Sequence, residues 1–422
     1  MAEIARRHAA AQRGLDFLHR RIAENTPKNT LLLGEQCVAM FFDIYLTASD
    51  PNISAVAEKY ARGLLATLQE QLLLEWPLPW SGDQLLEVLA LVRYEPLGCD
   101  LSKILNVAEV ALKNADVRHI SLPESRVADW QAGQLRSADW FEIMSRAFTY
   151  EYAVHSAHPN RFVASASPRL GIREVLSGLR RHVFDAPQIP SATSDFGEAF
   201  YLATHAIYWT TAYAPTVDLL AEAPWLAAYV HRSLAFWLSQ AQLFDQGVKG
   251  SARDGRVYVD LDGIGEAVDV LRSIQASAIA PDQPRTPTER QFLDSLPPLL
   301  ENASEWLIRM QLDDGSWPHI PFVQEDRMRT RLRHIGSRDA VDEYGALYDT
   351  LHATWAVTMG LCDRVAVPTA EPSERVDLQV PDLAARQEPA LRHGTRVKGL
   401  MREVRFREQE VPKRARRSHR MR

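Results

Sequence analysis

Apolar side chains recur every three to four residues along most of this chain, and the strict alternation of a half-buried strand is scarce. That period puts the apolar groups on one stripe of a helix, which must be buried against another helix. Leu15-Phe17-Leu18-Ile22, Val56-Tyr60-Leu64-Leu65-Leu68, Leu85-Leu89-Leu91-Val92, Ile104-Val107-Val110-Ala111 and the run from Val217-Leu220 to Phe236-Leu243 all follow it. Between them lie loop signals: Asp50-Pro51-Asn52, Pro77 to Pro79, His158-Pro159-Asn160, Pro187 to Ser194, Gln246-Gly247, Asp254-Gly255 and Pro281 to Thr288. The expectation is an all-α chain of helical hairpins. It divides into an N-terminal helical part over 1–190, a C-terminal helical part over 195–364, and a linker and basic tail over 365–422.

The 422 residues are 46% hydrophobic, enough for a large core and too apolar for a disordered chain. Cys37, Cys99 and Cys362 are odd in number and far apart, which points to reduced thiols and a cytoplasmic setting rather than a disulfide scaffold or a cysteine zinc site. No apolar run approaches the roughly 18 residues of a membrane span. The first residues lack the apolar core of a secretory signal. The net charge of −6 conceals an asymmetry. Residues 392–422 carry 12 basic and 3 acidic side chains, leaving −15 on the rest. An acidic body disfavours nucleic acid, so no specific nucleic-acid contact is expected. The tail reads as a solvated extension that could bind an acidic partner.

One local motif is specific. Within residues 303–317, Ala303, Trp306, Leu307, Gln311, Gly315 and Trp317 fall where the QW repeat of terpene cyclases and protein prenyltransferases has a small residue, an aromatic, an aliphatic, Gln, Gly and Trp. Trp306 and Leu307 should pack inside, Gln311 should bond exposed backbone of the next turn, Gly315 should supply a positive φ, and Trp317 should stack on the Gln amide. Arg13-Gly14-Leu15-Asp16-Phe17-Leu18 is a half-copy without the Gln. The chain thus resembles the α/α-toroid superfamily of squalene-type cyclases and prenyltransferase β subunits. That resemblance implies an α/α-toroid (α/α-barrel), with inner and outer helices around a central cavity.

Other stretches resemble the same superfamily where it keeps its chemistry. Asp349-x-x-His352, followed by an aromatic and Gly360-Leu361, is similar to the zinc-ligand segment of prenyltransferase β subunits, which implies a ligand role for His352. Asp262-Gly263 matches an Asp-Gly that supplies another ligand there, with Ile264 where that family has Cys. Arg256 and the His205-Ala-Ile-Tyr208 stretch stand where that family grips a prenyl diphosphate. Asp260-Leu261-Asp262-Gly263 also resembles the DxDD motif of class II terpene cyclases, which implies Asp262 as the acid that protonates an alkene.

Read without the resemblance, Asp262 and Glu266 are four residues apart, so on a helix their carboxyls share a face and repel unless a proton or a cation intervenes. Imidazoles from His205 and His352 with these carboxylates would suit a divalent metal, Zn or Fe. The plain alternatives are an acidic first turn that complements the helix dipole and histidines satisfied within the core. Tyr208 and Trp209 read as core aromatics or as the wall of a hydrophobic substrate pocket. His155-Ser-Ala-His158 reads as a loop, and Arg327, Arg329, Arg331 and Arg333 with His334 as a solvated face or a basic lid.

Three functions follow. The first is a metal-dependent toroid enzyme acting on a small isoprenoid or otherwise hydrophobic molecule, with His205, Asp262, Glu266 and His352 around the ion. The second is a metal-free cyclase using Asp262 as general acid. The third is a non-catalytic toroid that binds a peptide or protein.

Overall fold

Caps written into the sequence set where the helices begin. Asp50 accepts backbone N–H bonds from Asn52 at 2.8 Å and Ile53 at 3.2 Å, and Pro51 follows at the first helical position, where its missing donor costs nothing. Thr286 and Glu289 form a reciprocal capping box ahead of Pro287. Asp260 accepts from the Gly263 amide at 3.1 Å and opens the helix that carries Asp262.

The computed structural model describes residues 2–24, 29, 33, 35–75, 82–98, 100–114, 117–157, 170–182, 184, 194–211, 218–246, 259–278, 285–317 and 351–365. Among these residues the chain is all-helical; the β-type pairing is one isolated bridge, Ala48 with Arg364. The principal helices are α1 (Ala2–Ala23), α2 (Gln36–Thr47), α3 (Pro51–Glu75), α4 (Gly82–Ala90), α5 (Ser102–Asn114), α6 (Ser137–Glu151), α7 (Ile172–His182), α8 (Ser194–Thr211), α9 (Pro224–Asp245), α10 (Leu261–Ala278), α11 (Pro287–Arg309) and α12 (residues 351–361). Helix α4 tightens into a 3-10 segment, Leu91–Leu97, and α6 widens into a π-helical turn, Tyr152–Ala157.

The even-numbered helices neighbour one another in chain order. Phe42 of α2 meets Tyr94 after α4 at a ring separation of 4.8 Å. Helix α4 contacts α6. Phe141 of α6 lies 5.3 Å from Trp209 of α8. Helices α8 and α10 are joined by side-chain hydrogen bonds at successive turns. Helix α10 crosses α12 at glycines: a Cβ on Gly265 would lie 2.6 Å from the Val357 nitrogen, and one on Gly360 would lie 2.7 Å from the Gly265 oxygen. Helix α12 then returns to α2, where Val365 N–H donates to the Thr47 carbonyl and Ser49 N–H to the Asp363 carbonyl. The odd-numbered helices back this set, α3 on α2, α7 on α6, α9 on α8 and α10, and α11 on α10.

Helix α10 shows why the even set is interior. All residues from 263 to 274 are buried, so it has no polar face turned to water. Each fully buried Val, Leu or Ile there contributes roughly 1.5–3 kcal/mol relative to exposure. No described helix is long and apolar enough to cross a membrane.

The QW-like turn joins α11 to α1. Trp306 and Leu307 are buried, and Gly315 has φ 94°. The Gln311 amide donates to the Gly315 and Ala10 carbonyls, both at 2.9 Å. Trp317 is fully buried, and its indole N–H donates to the Leu307 carbonyl at 2.7 Å. The half-copy is its neighbour in space: Gly14 abuts Trp317, and the Arg13 carbonyl approaches Gly315 so closely that a Cβ there would lie 2.5 Å from it.

Three sequence expectations are corrected. The buried stripe of α5 is Leu105, Ala108 and Leu112, with Val110 55% exposed; the helix is rotated because these three reach the core from one face. The run toward Leu243 breaks at Pro224, which cannot donate to the preceding turn: a short turn, Leu219–Glu222, precedes α9. His155 lies inside the π-helical turn Tyr152–Ala157 that prolongs α6, rather than in a loop. The Arg327–His334 segment and the 366–422 tail lie outside the described residues.

Candidate functional site

Helices α8 and α10 run parallel, with a polar ladder between their otherwise apolar faces. Its first rung is the Tyr201 hydroxyl, 2.8 Å from Asp262 Oδ2 and 3.2 Å from Asp260 Oδ2. One phenolic hydrogen therefore stands between two carboxylates, and it favours Asp262, the shorter contact. The second rung is Thr204, whose hydroxyl donates to Glu266 Oε2 at 2.6 Å. The third is the buried Tyr208 opposite the buried Asp269, with burial and then the Asp269 charge pushing the phenol up. Positions 201, 204 and 208 on one helix meet 262, 266 and 269 on the other, both sets at helical spacing.

Electrostatics sharpen this picture. Glu266 is 5% exposed. Burial, followed by the charge of Asp262, holds its carboxyl well above the usual carboxylate range; the Thr204 bond acts in the opposite sense. Asp260 and Asp269 add to the rise. Tyr201 is likewise pushed up, by burial first and then by Asp260 and Asp262, so it is a donor at neutral pH.

His205 sits beside the second rung with its side chain 24% exposed. Its Nδ1 lies 2.8 Å from the Tyr201 carbonyl, an oxygen that can only accept, so Nδ1 carries the hydrogen and Nε2 keeps its lone pair. Nδ1 also lies 4.0 Å from Glu266 Oε2. Burial pushes this imidazole down to about 4. Around it stand Phe141 at 4.9 Å and Tyr208 and Trp209 at 5.8 Å between ring centres. Trp209 is partly exposed and stacks near Phe148, whereas Tyr208 is buried.

His352 is on α12, one turn before the glycine crossing with α10, and its ring packs on Trp355 at 5.3 Å. The structure thus brings His205, Asp262 and Glu266 onto facing helices and places His352 on the next helix at the same end. Among the described residues, no three His, Cys, Asp or Glu side chains converge as a bound ion requires. Arg256 lies outside the described residues.

The pair Asp262 and Glu266 was legible as a shared helix face. Tyr201 and Thr204, which bind them, were not singled out. The signal was present: a Tyr201-x-x-Thr204-x-x-x-Tyr208 polar stripe in an apolar helix, matched to Asp262-x-x-x-Glu266-x-x-Asp269.

Chemically, the arrangement can hold one proton between two neighbouring carboxyls and present it beside aromatic rings. It can also offer a neutral imidazole nitrogen and carboxylate oxygens as donors. No family model, curated protein or solved structure matches the chain.

Proposed function

We propose that the chain is an α/α-toroid enzyme that carries out proton-transfer chemistry on a small hydrophobic substrate of isoprenoid type. The toroid is supported by the order of contacts: even-numbered helices side by side and parallel where their contacts define a direction, α12 returning to α2, and odd-numbered helices behind them. The observation that carries the chemistry is the Asp262–Glu266 pair, one turn apart and each bound by a hydroxyl of α8. A buried Glu266 one turn from the half-buried Asp262 is held most cheaply as the protonated acid. That proton is available to a weakly basic carbon, and the two carboxylates left behind keep their bonds, Asp262 from Tyr201 and Glu266 from Thr204. Trp209 and Phe141 supply an apolar wall that excludes water.

A second reading is favoured by the His205 tautomer. With Nδ1 donating to the Tyr201 carbonyl, Nε2 is an available donor, and together with Asp262, Glu266 and His352 it makes a set suited to Zn or Fe. Binding an ion there requires the carboxylates to exchange hydroxyl bonds for metal bonds. The ion would supply Lewis acidity or a bound water.

Purified full-length protein, prepared without a metal-affinity tag, is incubated with linear isoprenoid alcohols, diphosphates and hydrocarbons, and products are identified by mass spectrometry. Conversion that persists in chelator and is lost in Asp262→Asn and Glu266→Gln supports proton transfer. Conversion abolished by chelator and restored by Zn or Fe supports the metal reading. No conversion of any of these substrates, with both variants at least as stable as the parent, overturns the enzyme reading and leaves the non-catalytic scaffold.

A further inference from the structure

The sequence resemblance gives His205 the task of gripping a diphosphate, and the geometry around its ring favours a different group. Three oxygens gather at Nδ1: the Tyr201 carbonyl at 2.8 Å, the Thr204 hydroxyl at 3.4 Å and Glu266 Oε2 at 4.0 Å. Turning the ring over would set a C–H where the carbonyl now takes a hydrogen, so the ring orientation and the tautomer are fixed together. With the hydrogen held at Nδ1, Nε2 presents a lone pair. Among the described residues no donor meets it. The rings of Phe141, Tyr208 and Trp209 stand around the imidazole at 4.9 to 5.8 Å. Phe141 and Trp209 are half-buried and the His205 side chain is 24% exposed, so the imidazole keeps an accessible edge within an apolar wall.

An acceptor in such a wall costs free energy whenever it is covered without a donor. A hydrocarbon would strand the lone pair. A diphosphate brings acceptor oxygens and negative charge, whereas the charged groups that meet Tyr201 and Thr204 beside it are the carboxyls of Asp260, Asp262 and Glu266. The Arg364 guanidinium is committed to Asp269, with Nε 2.6 Å from Oδ1, and to the Thr47 hydroxyl. A neutral hydroxyl has the hydrogen that Nε2 lacks and adds no charge.

We propose that His205 Nε2 is a specificity-determining acceptor, and that the hydrophobic molecule taken by this site ends in a neutral hydroxyl rather than in a diphosphate or a bare hydrocarbon. This rests on the isoprenoid-type substrate proposed above and narrows it. A metal ion at Nε2 would occupy the same lone pair, so the test is run in chelator.

Full-length protein is titrated calorimetrically with farnesol, farnesyl methyl ether, farnesyl diphosphate and farnesene. The ether keeps the chain and the oxygen and lacks the hydroxyl hydrogen. Farnesol is expected to bind about 10–100-fold more tightly than the ether or the hydrocarbon, and more tightly than the diphosphate. In His205→Phe, which keeps an aromatic ring in the wall, alcohol and ether should bind about equally. Should that variant fail to fold, the parent protein labelled with 15N-histidine decides: farnesol, and not the ether, should displace an unprotonated Nε2 signal from a ring whose hydrogen is on Nδ1. Equal affinity for alcohol and ether, a preference for the diphosphate, an alcohol preference that survives in His205→Phe, or an unmoved Nε2 signal overturns the proposal and leaves an isoprenoid substrate standing. Binding of none of the four probes overturns it together with the isoprenoid class.

Discussion

Thr204 donates its hydroxyl hydrogen to Glu266 across the α8–α10 interface at 2.6 Å, with both side chains buried. A hydroxyl in that position can turn to either charge state of the carboxyl. It donates to the carboxylate and can accept from the carboxylic acid, so the contact persists as the proton leaves.

Thr204→Val keeps the shape and removes that hydroxyl. The expected cost is about 1–3 kcal/mol in denaturant unfolding, the penalty for stranding a buried polar group. Thr204→Ser should retain the bond and lose less.

The pH dependence of stability follows from two groups with opposite shifts. The folded state holds His205 down to about 4 against 6.5 in the unfolded chain. As pH falls through this window the unfolded state takes up the proton first, so stability drops between pH 6.5 and about 4. Glu266 is raised, so the unfolded chain ionises first as pH climbs above 4.5. Its contribution is full below that point and is lost as pH rises through the folded-state value. Glu266→Gln should therefore gain stability relative to the parent at neutral pH, and His205→Gln should flatten the acid limb. Melting curves across pH 4–8 check both expectations.

Gly265→Ala should destabilise by about 1–3 kcal/mol, because the new Cβ meets backbone of α12 that cannot swing aside. Gly63→Ala is the contrast. Nothing lies within 4 Å of a Cβ there, and the site is inside α3, so a gain of about 0.5–1 kcal/mol is expected. Chemical unfolding of the two variants distinguishes close packing from backbone propensity.

Truncation after Val365 should leave the melting temperature nearly unchanged, since the basic tail has no apolar period with which to offset its ordering entropy. Truncation after Leu361 should lower it sharply. It removes Arg364 and also Asp363, which pairs with Arg7 at 2.9 Å and Arg272 at 2.8 Å.

Much of this fold could be read from the sequence because helical period and capping are local. Asp50, Thr286 and Pro287 mark helix starts within a few residues of themselves, and the QW-like turn is written in one stretch of fifteen. The bond from the Trp317 indole to the Leu307 carbonyl, ten residues back, lies within the same stretch. The site was half legible. Asp262 and Glu266 declare themselves by spacing along one helix. Their partners do not, since which residue of α8 faces which residue of α10 depends on how two helices pack. Arg364 was invisible for the same reason: it is 95 residues from Asp269 and 317 from Thr47.

That last separation bears on how the chain is made. A contact between residues 47 and 364 closes a loop of most of the described chain, and closure of this kind comes late in folding because its entropy is lost before any reward is collected. During synthesis α2 emerges early, yet the flank that receives Ser49, Thr47 and Ala48 contacts has no cover until residue 365 has left the ribosome. Until then the backbone groups of that flank have not met these partners, and a stall before residue 365 emerges releases a species in which α3 covers α2 on one side while this edge stays open to other chains.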